Sequence, residues 1–107
     1  MHIYNKLVRD KIPEIMDISG EKYKTTTLTE QEYLKELLKK GYEELDELIK
    51  ADNKEDTLEE LADLLEIINA IAIYHGASLD EVNKIREKKA NERGGFDEKV
   101  FLIEVSE

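Results

Sequence analysis

Four acidic residues stand at spacings suited to holding a hard metal ion. Glu44 and Glu47 are three positions apart, as are Glu60 and Asp63, so on helices each pair projects from one face. Two such pairs facing each other make a cage of carboxylate oxygens. Mg2+ takes oxygen ligands in octahedral geometry, shared between a few carboxylates, water and substrate phosphate. With 26 acidic residues in 107, the same spacing also arises on a solvated helix surface. Position speaks for the cage. Asp63 lies inside Leu61-Ala62-Asp63-Leu64-Leu65, and an unpaired charge buried in such a run costs on the order of several kcal/mol. Glu44 continues the row Leu37, Gly41, Glu44, Leu48, so it too borders an apolar face. For Glu60 two uses compete. Thr57-Leu58-Glu59-Glu60 can be a capping box that spends Glu60 on the backbone, whereas a helix beginning at Asn53 would free it as a ligand.

The elements needed to position these acids are helices. Asp10-Lys11-Ile12-Pro13 opens a short first helix with proline in its first turn, and Gly20 stops it. Thr29-Glu30-Gln31-Glu32 has the capping-box pattern, and Leu34, Leu37, Leu38, Gly41, Leu45 and Leu48 then recur at helical steps. A polar hinge at residues 51–54 precedes a third helix over Leu58 to Tyr74, ended by Gly76 and antiparallel to its neighbours. Between Leu61 and Ile73 its apolar residues cover most of the circumference, the pattern of a helix buried on nearly all sides. One chain of this length struggles to cover it. The pattern therefore predicts a homodimer, or a dimer of dimers, whose helices complete one another's bundle. Ser78-Leu79-Asp80-Glu81 starts a fourth helix that ends at Gly94-Gly95. The Thr-rich link at 21–28 and the tail at 99–105 have strand-forming composition and could pair as a small β element. The expected fold is thus mainly all-α: a single domain over residues 1–107, an antiparallel helical bundle.

Composition narrows the function classes. A formal charge of -10 repels polyanions, and a duplex-binding surface needs a basic face, so no nucleic-acid partner is expected. A small phosphate ester stays within reach if a divalent cation sits among the carboxylates. Cysteine is absent, which removes disulfides and thiolate chemistry. The longest apolar stretch, Leu64 to Tyr74, is interrupted by Glu66 and Asn69 and is too short for a bilayer of roughly 30 Å. The first ten residues, broken by charges, do not form a signal-peptide apolar region. The expectation is a cytoplasmic protein with no membrane partner.

Glu43-Glu44-Leu45-Asp46-Glu47, twelve intervening residues, then Glu60-Leu61-Ala62-Asp63 resembles the Glu-Glu-x-x-Glu … Glu-x-x-Asp signature of the all-α nucleoside triphosphate pyrophosphatases, the MazG-like superfamily. Tyr4-Asn5-Lys6-Leu7-Val8-Arg9-Asp10-Lys11-Ile12-Pro13-Glu14 and Arg93-Gly94-Gly95-Phe96 resemble its subgroup of short proteins related to phosphoribosyl-ATP pyrophosphohydrolase, which are held to clear noncanonical nucleotides. The resemblance implies Mg2+, with Mn2+ as a substitute, on Glu44, Glu47, Glu60 and Asp63, and Glu43 beside them as a water-orienting group. It implies hydrolysis between the α and β phosphates, releasing a nucleoside monophosphate and pyrophosphate.

A triphosphate also needs cationic donors. Lys88, Lys89, Asn91 and Arg93 end the fourth helix, where the family often places a substrate-contacting Lys and Asn, although Glu87 stands at the position four before Asn91. Each of these cations would equally complement the helix dipole. Lys6 and Arg9 form the second cluster; by themselves they read as a solvated turn, and the subgroup resemblance makes them substrate-binding. Tyr42 and Tyr74 are expected in the core, with base stacking the other use. Two further functions fit the same scaffold: phosphoribosyl-ATP hydrolysis, and a helical interaction module without catalysis.

Overall fold

The computed structural model describes residues 2–107. Its elements are α1 (Ile12–Ile18), α2 (Glu30–Lys50), α3 (Lys54–Tyr74) and α4 (Leu79–Arg93), and no strand occurs among the described residues. The all-α expectation holds. The small β element does not: residues 21–28 and 99–105 are irregular, and no backbone hydrogen bond joins them. Two short segments without a sheet to lie on gain too little burial to offset the ordering of their backbones.

Local chemistry explains each boundary. Pro13 sits in the first turn of α1, where its missing N–H is no loss. At the other end the Glu21 N–H reaches the Met16 carbonyl and the Gly20 N–H the Asp17 carbonyl. This closure needs a left-handed residue, and Gly20 supplies it at φ 74. For α2, Thr29 and Glu32 form the reciprocal box: the Glu32 N–H donates to the Thr29 hydroxyl at 3.2 Å, and the Thr29 N–H to the Glu32 carboxylate at 2.9 Å.

α3 starts four residues earlier than the Leu58 start expected from the pattern. Asn53 caps it, its side-chain oxygen accepting the Asp56 N–H at 2.8 Å. The Thr57 hydroxyl turns back to the Asn53 carbonyl at 2.7 Å. Thr57 is therefore inside the helix, and Glu60 is not spent on a cap. Asn53→Ala is expected to lower stability by about 1 kcal/mol, measured by urea denaturation, with Asn53→Asp retaining most of it.

The α2–α3 hairpin is the centre of the fold, and α4 makes a smaller contact with the end of α3, where Val82 faces Ile68, Ile71 and Ala72. Gly41 packs towards Ile67; a Cβ there would lie 3.7 Å from the Ile67 methyl, an ordinary contact, so the helices do not require glycine at this point. A single chain buries little: Leu37 and Ala72 are the buried apolar residues among those described. The helix read as enclosed on all sides leaves Leu61, Leu65, Ile68 and Ile73 between 38% and 61% exposed. Tyr42, expected in the core, is 77% exposed, whereas Tyr74 packs against Tyr33 with ring centres 6.1 Å apart. The radius of gyration is 18.4 Å, against about 13 Å for a compact domain of this length.

Candidate metal centre

The hairpin brings three of the four candidate acids together. Glu44 comes from α2, and Glu60 and Asp63 from α3, three residues apart on one helical face. A carboxylate oxygen of each lies within 4.8 Å of the others. Ligands on opposite sides of an octahedral Mg2+ are about 4.2 Å apart at bonds of about 2.1 Å. An all-oxygen, triply anionic set this close to that spacing fits a hard divalent cation. Glu47 is one turn further along α2, exposed and outside the trio, yet its charge is felt there.

That mutual repulsion registers on Glu60, whose carboxyl is held above the usual carboxylate range. Loss of hydration against the hairpin is the largest cause, followed by the charges of Asp63, Glu44 and Glu47 and a hydrogen bond with Glu44 that favours the protonated form. Since the folded state raises this pKa, the folded protein binds the Glu60 proton more tightly than the unfolded chain. Its stabilising contribution is complete below the ordinary value of 4.5 and is lost as pH rises through the raised one. In chelator at pH 7, Glu60→Gln is thus expected to melt above the wild type. The gap should close as pH falls through that window, and saturating Mg2+ at pH 7 should reverse the order.

The other candidates are placed as follows. The Arg9 guanidinium donates to the Asp63 carboxylate at 2.9 Å. Asp63 is consequently neither deeply buried nor unpaired in the single chain: its side chain is 41% exposed, and its counter-ion comes from a residue 54 positions away. Nothing in the residue types singled out that pairing, because Lys6, Arg9 and Lys11 all lie within one short segment. Lys6 instead stands over the Tyr4 ring, 5.2 Å from its centre. Glu43 leans on Lys40 at 3.6 Å. At the end of α4, Lys88 pairs with Glu92 at 3.9 Å, and Lys89, Asn91 and Arg93 are exposed. Among the described residues none of these four hydrogen-bonds or ion-pairs with the carboxylate trio. His2 stacks on Tyr4, and His75 meets the Tyr74 ring edge-on, both apart from the acids.

A sequence model of the phosphoribosyl-ATP pyrophosphohydrolase family matches residues 5–90. The chain belongs to that family. Phosphoribosyl-ATP pyrophosphohydrolases lie within the MazG-like all-α superfamily and act on a nucleotide, generally with a metal. The match spans the N-terminal segment, the hairpin and most of α4, so every candidate acid falls inside it. Comparison with curated proteins and with solved structures returns no match. None of the helices is long and apolar enough to cross a membrane.

Proposed function

We propose that the protein is a Mg2+-dependent hydrolase that cleaves nucleoside triphosphates, noncanonical ones in a house-cleaning role, between the α and β phosphates to give the monophosphate and pyrophosphate. The observation that carries this reading is the convergence of Glu44, Glu60 and Asp63 at the centre of a hairpin that the family match spans. These three would hold the ion, with Glu47 completing the set from the next turn. When bound, Mg2+ supplies neutralisation of phosphate charge and acidification of a coordinated water. Mn2+, with the same oxygen preference, would substitute.

The chain's own residues then have distinct tasks. Glu43 orients water and takes its proton after letting go of Lys40, a contact long enough to be weak. Lys6 and Arg9 at the near edge, and Lys88, Lys89, Asn91 and Arg93 on α4, meet the remaining phosphate oxygens. The α4 group needs α4 to close on the hairpin or a second copy to present it. A second copy has independent support. The chain exposes 10125 Å2, well above the roughly 6,000 Å2 expected of a folded monomer of 12.4 kDa. The apolar groove between α2 and α3, lined by Leu38, Tyr42, Leu45, Leu64 and Ile71, is where two copies would pair, as a dimer or a dimer of dimers. The absence of cysteine and the acidic charge suit a cytoplasmic setting.

The family description favours a second reading, hydrolysis of phosphoribosyl-ATP at the same site. Pyrophosphate release measured across ordinary triphosphates, damaged triphosphates and phosphoribosyl-ATP, with Mg2+ and with chelator, decides between them. Turnover confined to phosphoribosyl-ATP supports the second reading. Inactivity on all of them would overturn both and leave a non-catalytic helical module.

A further inference from the structure

The Arg9–Asp63 pair is the sole salt bridge among the described residues that joins positions more than ten apart. It ties the segment before α1 to the hairpin, and it does so on a member of the carboxylate trio. The Arg9 backbone is set at the mouth of α1, its carbonyl accepting the Ile12 N–H at 3.1 Å, so the guanidinium reaches the acids from a fixed turn. Taking Asp63 as a metal ligand, on which this inference rests, we propose that Arg9 is the built-in counter-ion of the metal-free site. It occupies the Asp63 carboxylate until a divalent cation displaces it, and its release frees the N-terminal segment from α3.

The energetics suit an exchange. Three carboxylates whose oxygens lie within 4.8 Å of one another repel when no cation lies between them, and a guanidinium 2.9 Å from one of them relieves part of that repulsion. Yet both partners are substantially exposed, 62% and 41% of their side chains, where such pairs are weak. A divalent ion contacting three carboxylates outcompetes one monovalent group contacting one. Arg9 therefore weakens metal binding modestly while preventing an empty anionic pocket from splaying the hairpin.

The test is calorimetric titration of Mg2+ and Mn2+ into the full chain without nucleotide, together with amide hydrogen exchange of residues 9–12. Arg9→Gln is expected to bind metal about two- to five-fold tighter, the span that the worth of an exposed ion pair allows. Arg9→Lys should fall between it and the wild type. Lys11→Gln removes the same charge from the same turn and should change affinity by less than about 1.5-fold, as screening of an unpaired surface charge implies. In the wild type, metal should speed exchange at residues 9–12; in Arg9→Gln exchange should already be fast and insensitive to metal. Wild-type metal binding with unchanged or weakened affinity in Arg9→Gln overturns the counter-ion role alone. Absence of metal binding in the wild type overturns the metal-site reading as well.

Discussion

Asp63→Asn is expected to cut Mg2+-dependent pyrophosphate release by at least about 100-fold while leaving the helical circular dichroism unchanged. A metal acting on phosphate contributes several kcal/mol of charge stabilisation in the transition state, and each ~1.4 kcal/mol is a factor of ten in rate. Asparagine has the shape of aspartate and keeps an oxygen towards Arg9 but carries no charge, and Asp63 is the member of the trio that Arg9 holds in place. The fold has little at stake: the ion pair lost is solvent-exposed, worth about 0–1 kcal/mol. Full pyrophosphatase activity in the folded variant would refute a site built on these acids. Glu47→Gln, outside the trio, should cost less than Asp63→Asn; the reverse order would move the centre of the site along α2.

Tyr42→Lys is expected to weaken self-association by at least roughly 30-fold, the cost of about 2 kcal/mol for losing a central aromatic from an interface. Sedimentation velocity at micromolar concentration checks it, with the wild type running as a dimer or larger. In one chain Tyr42 is so exposed that lysine should be near neutral for intrinsic stability, within about 0.5 kcal/mol. An interface and a solvated surface therefore give opposite results at this position. The groove it borders runs between Leu38 and Leu45 on α2 and Leu64 and Ile71 on α3, a strip that stable homodimers typically cover. A wild type that sediments as a monomer would overturn the pairing.

Much of this was legible in the residues. The capping box at Thr29, the proline in α1 and the glycine stops at Gly20 and Gly76 are short-range chemistry, and each acts where the pattern puts it. The meeting of Glu44 with Glu60 and Asp63 was legible too, because two amphipathic helices joined by a short hinge have few ways to pack. The start of α3 was not, since Asn53 and Thr57 are both good caps and only the Asp56 N–H chooses between them. Apolar composition misled at residues 99–105 because hydrophobicity marks a segment that wants covering without saying by what; Phe101 and Ile103 remain 87% exposed. Arg9 was visible as a cation but not as the partner of Asp63, since a pairing across 54 residues leaves no periodic trace.

The hinge between α2 and α3 is three residues long, Ala51 to Asn53. Because of it, Glu44 and Glu60 lie only 16 positions apart in the chain, and bringing them together closes only a short loop. Closing loops of that size takes well under a microsecond, and topologies dominated by such neighbours fold fast. The acidic centre is consequently born with the hairpin, within a single nascent chain, rather than at the later and concentration-dependent encounter of two chains.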